Sequence, residues 1–352
     1  MKIAICYDWA NRIGGAERVL SAIADLWPKA DLFTTIYFPK EAPWAKNFAS
    51  IKTSFLQKIP LIKKNYRLFY PLMSLAFEQF NFDGYDLAVS VSSGPAKAIV
   101  TKPETKHVCY CLTPPRYLWQ KRFLKSKRLF PRLESLRKSD FVFAQRPDLI
   151  LAISKNVQKR IRRFYQRPSR VVYPGIDLNK FKPSSTTPKD YFLIVSRLVS
   201  YKKIDLAISA FNQTDKKLKI IGDGPEKEFL IRMAKSNIEF LGQVEDSKLI
   251  DYYQNCQALI MPQEEDLGLT AIEAQACGRP VIAYGRGGAL ETIIPNETGL
   301  FLKSQTAESL KQAIAEFQTR KFKPENCVNN AKKFSEKEFV GNFKRAVCQA
   351  TK

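Results

Sequence analysis

The chain has 352 residues, of which 45% are hydrophobic and 26% charged. This excludes a disordered chain and exceeds what one hydrophobic core readily fills, so two domains are expected. Its 57 Lys plus Arg against 34 Asp plus Glu leave a net charge of +23, which reads either as the footprint of an acidic partner (nucleic acid, anionic lipid or a phosphate-bearing substrate) or as a solvated Lys-rich surface.

The first element is an apolar strand, Lys2 to Tyr7, ending at Asp8. After Gly14-Gly15, the residues Ala16, Val19, Leu20, Ile23, Ala24 and Trp27 recur at helical spacing. Strand, glycine turn and helix in that order open a doubly wound α/β domain. Further buried strands are expected at Leu87–Val91, Val108–Leu112 and Leu149–Ile153. Pro and polar residues gather between Pro174 and Pro188, which reads as a linker. The alternation then restarts with strands at Tyr191–Val195, Leu218–Ile221, Ile238–Leu241, Ala258–Met261 and Val281–Ala283. Helices are expected near Asp205–Phe211, Glu228–Ala234, Ser247–Asn255 and Thr270–Cys277. Such alternation predicts a second parallel sheet. The tail after Ser335 reads as one or two helices.

Seven Cys, odd in number and without a Cys-x-x-Cys, sit partly inside apolar runs such as Ile5-Cys6-Tyr7. They read as buried free thiols of a reducing compartment. Asp8 interrupts the amino-terminal apolar run too early for a signal peptide, and no apolar run approaches the roughly 18–20 residues that span a bilayer. The expectation is a cytoplasmic protein whose membrane contact, if any, is peripheral.

Three loops carry candidate chemistry. Gly14-Gly15 before a helix lets backbone N–H groups approach a phosphate, although a plain tight turn reads the same way. Arg197 and Lys202, just past a strand end, suit a diphosphate clamp or simply a solvated cationic surface. Glu264-Glu265-Asp266 follows the strand Ala258–Met261, and Gly268 then opens a helix holding Glu273 among apolar neighbours. Those carboxylates need donors such as sugar hydroxyls, or else they stabilise a helix N-terminus.

Glu265 and Glu273 with Gly268 between them, followed by Ala274-Gln275-Ala276-Cys277-Gly278-Arg279-Pro280, resemble the signature of family 4 glycosyltransferases. Ser196-Arg197-Leu198 with Lys202, Gly222-Asp223-Gly224-Pro225, Gly287-Gly288 with Glu291, Thr298-Gly299-Leu300 and Tyr173-Pro174-Gly175-Ile176-Asp177 resemble its other motifs. Tyr7-Asp8-Trp9, Gly14-Gly15-Ala16-Glu17-Arg18 and the stretch Tyr110–Trp119 look like its mannosyltransferase-like branch. The resemblance covers almost the whole chain. It implies an α/β protein of two Rossmann-like domains (GT-B) facing across a cleft. The domains would be an acceptor-binding domain at 1–182, a nucleotide-sugar-binding domain at 183–334, and a C-terminal helix at 335–352 packing back on the first.

The resemblance also implies a retaining hexosyltransferase that needs no metal or cofactor. Its donor is GDP-mannose or another nucleotide-diphosphate sugar, and its acceptor a lipid-linked or other glycan of surface polysaccharide synthesis. Carried over by position, Arg197 and Lys202 hold the diphosphate and, with Glu265 on the donor-sugar hydroxyls, form the catalytic set. Glu273 binds the ribose diol, the backbone of Gly268-Leu269-Thr270 caps the β-phosphate, and Gly14 and Gly15 offer N–H groups from the other half. Arg116 and Tyr117 are the candidate acceptor contacts. Cations and N–H dipoles preorganised around a leaving diphosphate stabilise its charge without a metal ion.

Two positions depart from the family pattern. Leu112 stands where relatives usually carry a His, and the single His of the chain, His107, reads as structural. Lys203 stands where many relatives have Gly.

Arg116 to Arg170 holds 17 basic and 3 acidic residues, interleaved with Phe123, Leu124, Leu129, Phe130, Leu133 and Leu136. With Ile59–Arg67, this stretch suits an anionic membrane surface at the inner face of the cell membrane. A basic nucleic-acid binder also accounts for the charge but not for Glu265 and Glu273, which would repel phosphates, so no nucleic acid partner is expected. A catalytically degenerate transferase is the other alternative, motivated by Leu112.

Overall fold

The computed structural model describes residues 1–60, 62–123, 133–185 and 187–350. The chain forms two units: Met1–Gly175 with Lys337–Lys352, and Ile176–Glu336.

In the first unit, seven parallel strands make one sheet: β1 (Ile3–Tyr7), β2 (Asp31–Thr34), β3 (Ser50–Thr53), β4 (Leu87–Ser92), β5 (Lys106–Cys111), β6 (Leu149–Ala152) and β7 (Arg170–Val171). The order β3-β2-β1-β4-β5-β6-β7 puts a topological switch between β1 and β4, which pair from Ile3↔Leu87 to Tyr7↔Val91. All residues of β1 and β4 are buried, which is why they read as continuous apolar runs. β2 and β3 were not expected from the sequence: each has four residues, and no residue of β3 is fully buried. Helices on the sheet include Gly15–Leu26 and Lys155–Tyr165. The C-terminal helix Glu336–Ala350 packs on this unit: Phe343 meets Trp27 at 5.7 Å and Tyr110 at 5.4 Å between ring centroids.

The second unit has six parallel strands: β8 (Phe192–Val195), β9 (Leu218–Ile221), β10 (Ile238–Gly242), β11 (Leu259–Met261), β12 (Val281–Tyr284) and β13 (Gly299–Leu302). Their order, β10-β9-β8-β11-β12-β13, switches between β8 and β11. Phe192, Phe211, Ile220 and Ile260 anchor its core, with the Phe192 and Phe211 rings 5.6 Å apart. Burial of each such side chain contributes on the order of 1.5–3 kcal/mol.

Both units are Rossmann-like, as the alternating pattern implied. The segment after Gly175 is bonded into the second unit. Ile176 N–H donates to Phe334 and its carbonyl accepts from Glu336, and Lys189 N–H donates to Asn255. The boundary between the units falls inside the Pro-rich stretch read as a linker: Pro174 and Gly175 belong to the first unit, and the rest of the stretch to the second. Among the described residues, no helix is long and apolar enough to cross a membrane.

Candidate functional site

In a parallel sheet the loops after the strands gather at one edge, and beside a switch point they splay apart to leave room for a ligand. In the second unit, the loops after β8 and β9 are fastened backbone to backbone. Ser196 N–H donates to Ile221, Leu198 N–H to Asp223 and Glu226 N–H to Leu198, at 2.9–3.1 Å. A Cβ on Gly222 would stand 1.9 Å from the Ser196 carbonyl oxygen, and one on Gly224 2.3 Å from that of Leu198. The Gly-Asp-Gly-Pro turn thus exists to let the Arg197–Lys202 loop lie against it.

The same loop ends in a single 3₁₀ turn, Ser200–Lys202, closed by Lys203 at φ 54°, in left-handed backbone. That conformation favours glycine, which accounts physically for the residue expected there. From this turn the Lys202 ammonium reaches the Glu265 carboxylate. The two side chains are 13% and 14% exposed, and Gln263 Nε2 donates to the same Glu265 oxygen at 2.8 Å. Arg197 remains exposed and donates to the Tyr201 hydroxyl at 2.5 Å, and the Lys202 ammonium lies 5.5 Å from the centre of the Tyr201 ring.

Glu265 follows β11, and its backbone is set by the next loop. Its carbonyl accepts from Gly288 N–H at 2.9 Å, and a Cβ on Gly288 would stand 2.2 Å from Leu267 Cα. Gly268, at φ 96°, opens the helix Leu269–Ala276. Glu273, within that helix, is 2% exposed and accepts from the Tyr253 hydroxyl at 2.7 Å. Gln275 is tied to Thr292 and Asn330, and Arg279 donates through Nε to the Gln254 carbonyl at 2.8 Å. Of the predicted residues, then, Lys202 and Glu265 are in direct contact from two different loops, Arg197 shares the loop of Lys202, Gly268 opens the helix that follows Glu265, and Leu269, Thr270 and Glu273 lie within it. The arrangement supplies cations, a glycine-opened helix start, a partly buried carboxylate (Glu265) and a buried one (Glu273) at one edge of one sheet.

Gly14 and Gly15 belong to the first unit, where the helix Gly15–Leu26 begins as expected. The carboxylate of Glu17 lies under that helix start: Oε1 accepts from the Tyr7 hydroxyl at 2.6 Å, and Oε2 is 3.0 Å from where a Gly14 Cβ would stand. Burial, then the Glu17 carboxylate, push the Tyr7 phenol well above its ordinary range. Sequence reasoning assigned Glu17 no role, although a Glu at the third helical position is a known capping signal.

Beside the β1–β4 switch, buried Asp8 accepts from the backbone N–H groups of Ser93 and Ala96 at 2.8 Å and from Ser92 Oγ at 2.9 Å. Burial raises its pKa above the ordinary carboxylate value, and those donors oppose the rise. Leu112 is half-buried at the end of β5, and its N–H donates to the Ser92 carbonyl. His107 is buried inside β5, with Nε2 2.8 Å from Ser90 Oγ. Burial, helped by the Arg146 charge, lowers its pKa to about 3, so it is a neutral structural residue.

Among the candidate acceptor contacts, Arg116 lies 5.0 Å over the Phe123 ring, and Tyr117 meets Tyr70 edge-on at 5.2 Å. The basic stretch is less available than its count implies: Arg146 pairs with Glu78 at 2.6 Å, and Arg167 donates to the carbonyls of Gln145 and Pro147 at 2.8 Å. Leu124, Leu129 and Phe130 lie outside the described residues.

Comparison with known proteins gives these loops a family context. Residues 13–180 match the family model described as Glycosyltransferase Family 4, and residues 176–334 the model described as Glycosyl transferases group 1. A GDP-mannose-dependent monoacylated alpha-(1-6)-phosphatidylinositol monomannoside mannosyltransferase of Corynebacterium glutamicum is 31% identical over 202 residues, 48% of this chain and 52% of that protein. The chain spans about half the length of the curated relatives it matches. Among solved structures, sucrose-phosphate synthase from Thermosynechococcus elongatus has a TM-score of 0.77 at 20% identity, over 99% of both chains. Anabaena HepE in complex with UDP has a TM-score of 0.75 at 18% identity, over 99% of this chain and 100% of that one.

Proposed function

Both units belong to glycosyltransferase families and share the fold of GT-B structures, and on that premise we propose that the chain is a retaining hexosyltransferase acting on a nucleotide-diphosphate sugar. The observation that carries this reading is the Lys202–Glu265 pair beside Gly268, at the C-terminal edge of β8 and β11. A carboxylate holds the cation in place until a diphosphate competes for it. The released carboxylate is then available to donor-sugar hydroxyls.

Arg197 and Lys202 take up the charge that builds on the leaving diphosphate, and the backbone N–H groups at Gly268-Leu269-Thr270 take up the rest. Glu273 receives the ribose diol beside Tyr253. In the first unit, Gly14 and Gly15 open a helix whose backbone N–H groups suit a phosphate. With this many fixed donors, the reaction proceeds without a metal ion. The sugar passes through an oxocarbenium-like state, as in other glycosyl transfers.

GDP-mannose is the first choice of donor, supported by the mannosyltransferase relative. UDP-sugars are the second, supported by the UDP complex of a structural neighbour. The acceptor we propose is a lipid-linked or other glycan of surface polysaccharide synthesis, met at an anionic membrane surface. Arg116 and Tyr117 are its proposed contacts. The experiment is a thermal-shift screen of GDP, UDP and their sugars, followed by transfer from the best donor with and without EDTA. A nucleotide at 100 times its dissociation constant adds about 2.7 kcal/mol of stability. No shift with any nucleotide sinks the reading, and loss of transfer in EDTA sinks its metal-free part.

A further inference from the structure

Trp119 closes the Tyr110–Trp119 motif, and the donor-site reading gives it no task. Its ring stacks on Phe164 at 5.2 Å and 18°, and its Nε1–H donates to Asp140 Oδ2 at 2.7 Å. The Tyr165 hydroxyl donates to the same oxygen at 2.9 Å. The other oxygen, Oδ1, takes the Lys97 ammonium at 2.5 Å, with both side chains almost fully buried. Lys97 also donates to the Gly94 carbonyl at 2.7 Å, and Ser92 Oγ joins that carbonyl at 2.9 Å while donating to Asp8. Burial alone would pull the Lys97 pKa down, but Asp140 more than offsets it and leaves the ammonium above its ordinary value.

A buried ion pair adds little net stability over a well-packed apolar pair, because desolvation consumes most of the Coulombic gain. What this one supplies is direction. Four segments converge on one carboxylate: the loop Ser92–Ala98 after β4, the helical turn Arg116–Trp119 after β5, and the helices Glu134–Phe143 and Lys155–Tyr165. The first two lie at the C-terminal edge beside the switch, where open α/β sheets bind ligands. Arg116 and Tyr117 sit in the same helical turn as Trp119.

We propose that Asp140 is a positioning residue for the acceptor, an inference that rests on the transferase reading above. Through Trp119 on one oxygen and Lys97 on the other, it locks the turn bearing Arg116 and Tyr117 to the loop after β4. Asp140 itself touches no substrate.

The test compares Trp119→Phe, which keeps the ring stack and removes one donor, with Asp140→Asn and with Phe339→Leu, a core control in the C-terminal helix. Amide hydrogen exchange is read over residues 113–120, GDP binding by thermal shift, and transfer from GDP-mannose to a synthetic farnesyl-diphosphate monosaccharide by KM and kcat. Trp119→Phe is expected to speed exchange there about tenfold and raise the acceptor KM by a similar factor, the usual scale for one charge-assisted hydrogen bond. The GDP shift and kcat stay as in wild type. Asp140→Asn does the same and more, because Lys97 loses its counter-charge, and Asp140→Glu restores part of it. Phe339→Leu lowers Tm and leaves exchange over 113–120 unchanged. Wild-type exchange and KM in Trp119→Phe overturn the proposal, as does equal loosening in Phe339→Leu. A wild-type chain with neither GDP shift nor transfer marks failure of the transferase reading instead, and exchange over 113–120 then judges the lock alone.

Discussion

The Lys202 ammonium rests on the Glu265 carboxylate across 63 residues of sequence, because β8 and β11 are neighbours at the switch of the second sheet. One residue comes from a loop shaped by Gly222 and Gly224, the other from a loop shaped by Gly288. On the proposed reading, a diphosphate competes with Glu265 for this cation.

Lys202→Ala is therefore expected to lower kcat by roughly 10²–10³, about 3–4 kcal/mol of barrier, on the scale of losing one preorganised donor to a developing oxyanion. The fold is retained, since the side chain is at the site edge and not in the core. Steady-state kinetics with circular dichroism check this. A kcat within threefold of wild type removes Lys202 from the diphosphate.

If Glu273 receives the ribose diol as proposed, its replacement separates nucleoside recognition from phosphate recognition. Glu273→Gln keeps an acceptor for the Tyr253 hydroxyl and loses the charge. It is expected to weaken GDP and GDP-mannose alike while leaving inorganic pyrophosphate binding unchanged. Titration calorimetry of the three ligands decides it, and equal weakening of all three would move Glu273 off the ribose.

His107 gives an acid-side signature. Its folded-state pKa of about 3 lies below the unfolded value of 6.5. The unfolded chain thus binds a proton in that window and the native chain does not. The stability from this site is complete above pH 6.5 and is lost as pH falls toward 3, by about 5 kcal/mol in all and about 1.4 kcal/mol per pH unit along the slope. His107→Gln flattens the urea-midpoint slope between pH 6 and 4 by that amount. A variant slope equal to wild type would show the imidazole to be charged or solvated.

Lys203 sits in left-handed backbone at φ 54°, which a Cβ-bearing residue adopts at some cost. Lys203→Gly is expected to raise stability by about 0.5–1 kcal/mol, or roughly 2–4 °C in Tm. Differential scanning calorimetry reads it directly. A fall in Tm would mean the Lys side chain contributes more than its backbone loses.

The helix Tyr70–Glu78 leaves Leu72 and Leu75 42% and 45% exposed, and Leu68 just before it 77% exposed. Lys58 is exposed nearby in sequence. An exposed apolar face on a chain of net charge +23 suits an anionic leaflet. Replacing the three Leu by Ser is expected to reduce partitioning onto phosphatidylserine vesicles, read by flotation, about a hundredfold, each Leu being worth on the order of 1 kcal/mol when partly buried. Equal flotation on neutral and anionic vesicles, or no loss in the triple variant, would exclude this face as the contact.

Much of this protein follows from local spacing. Apolar runs such as Ile3–Tyr7 and Leu218–Ile221 announce buried parallel strands, and Gly222-Asp223-Gly224-Pro225 announces the turn that leads from one of them into a helix. Gly268 marks a helix start because only a residue without Cβ takes φ 96° at no steric cost. Such signals survive in one dimension because each depends on a residue and its near neighbours. β2 and β3 escaped notice because four-residue strands with polar ends lack a period long enough to count.

Partnership is the other half, and folding alone decides it. Lys97 and Asp140, 43 residues apart, read as two more charges in a basic protein, yet the fold buries them together. Asp8 and the Ser92–Ala96 loop meet only because β1 lies beside β4. A charge keeps its identity in the sequence, but its worth depends on what surrounds it once water is gone, and strand order sets those surroundings.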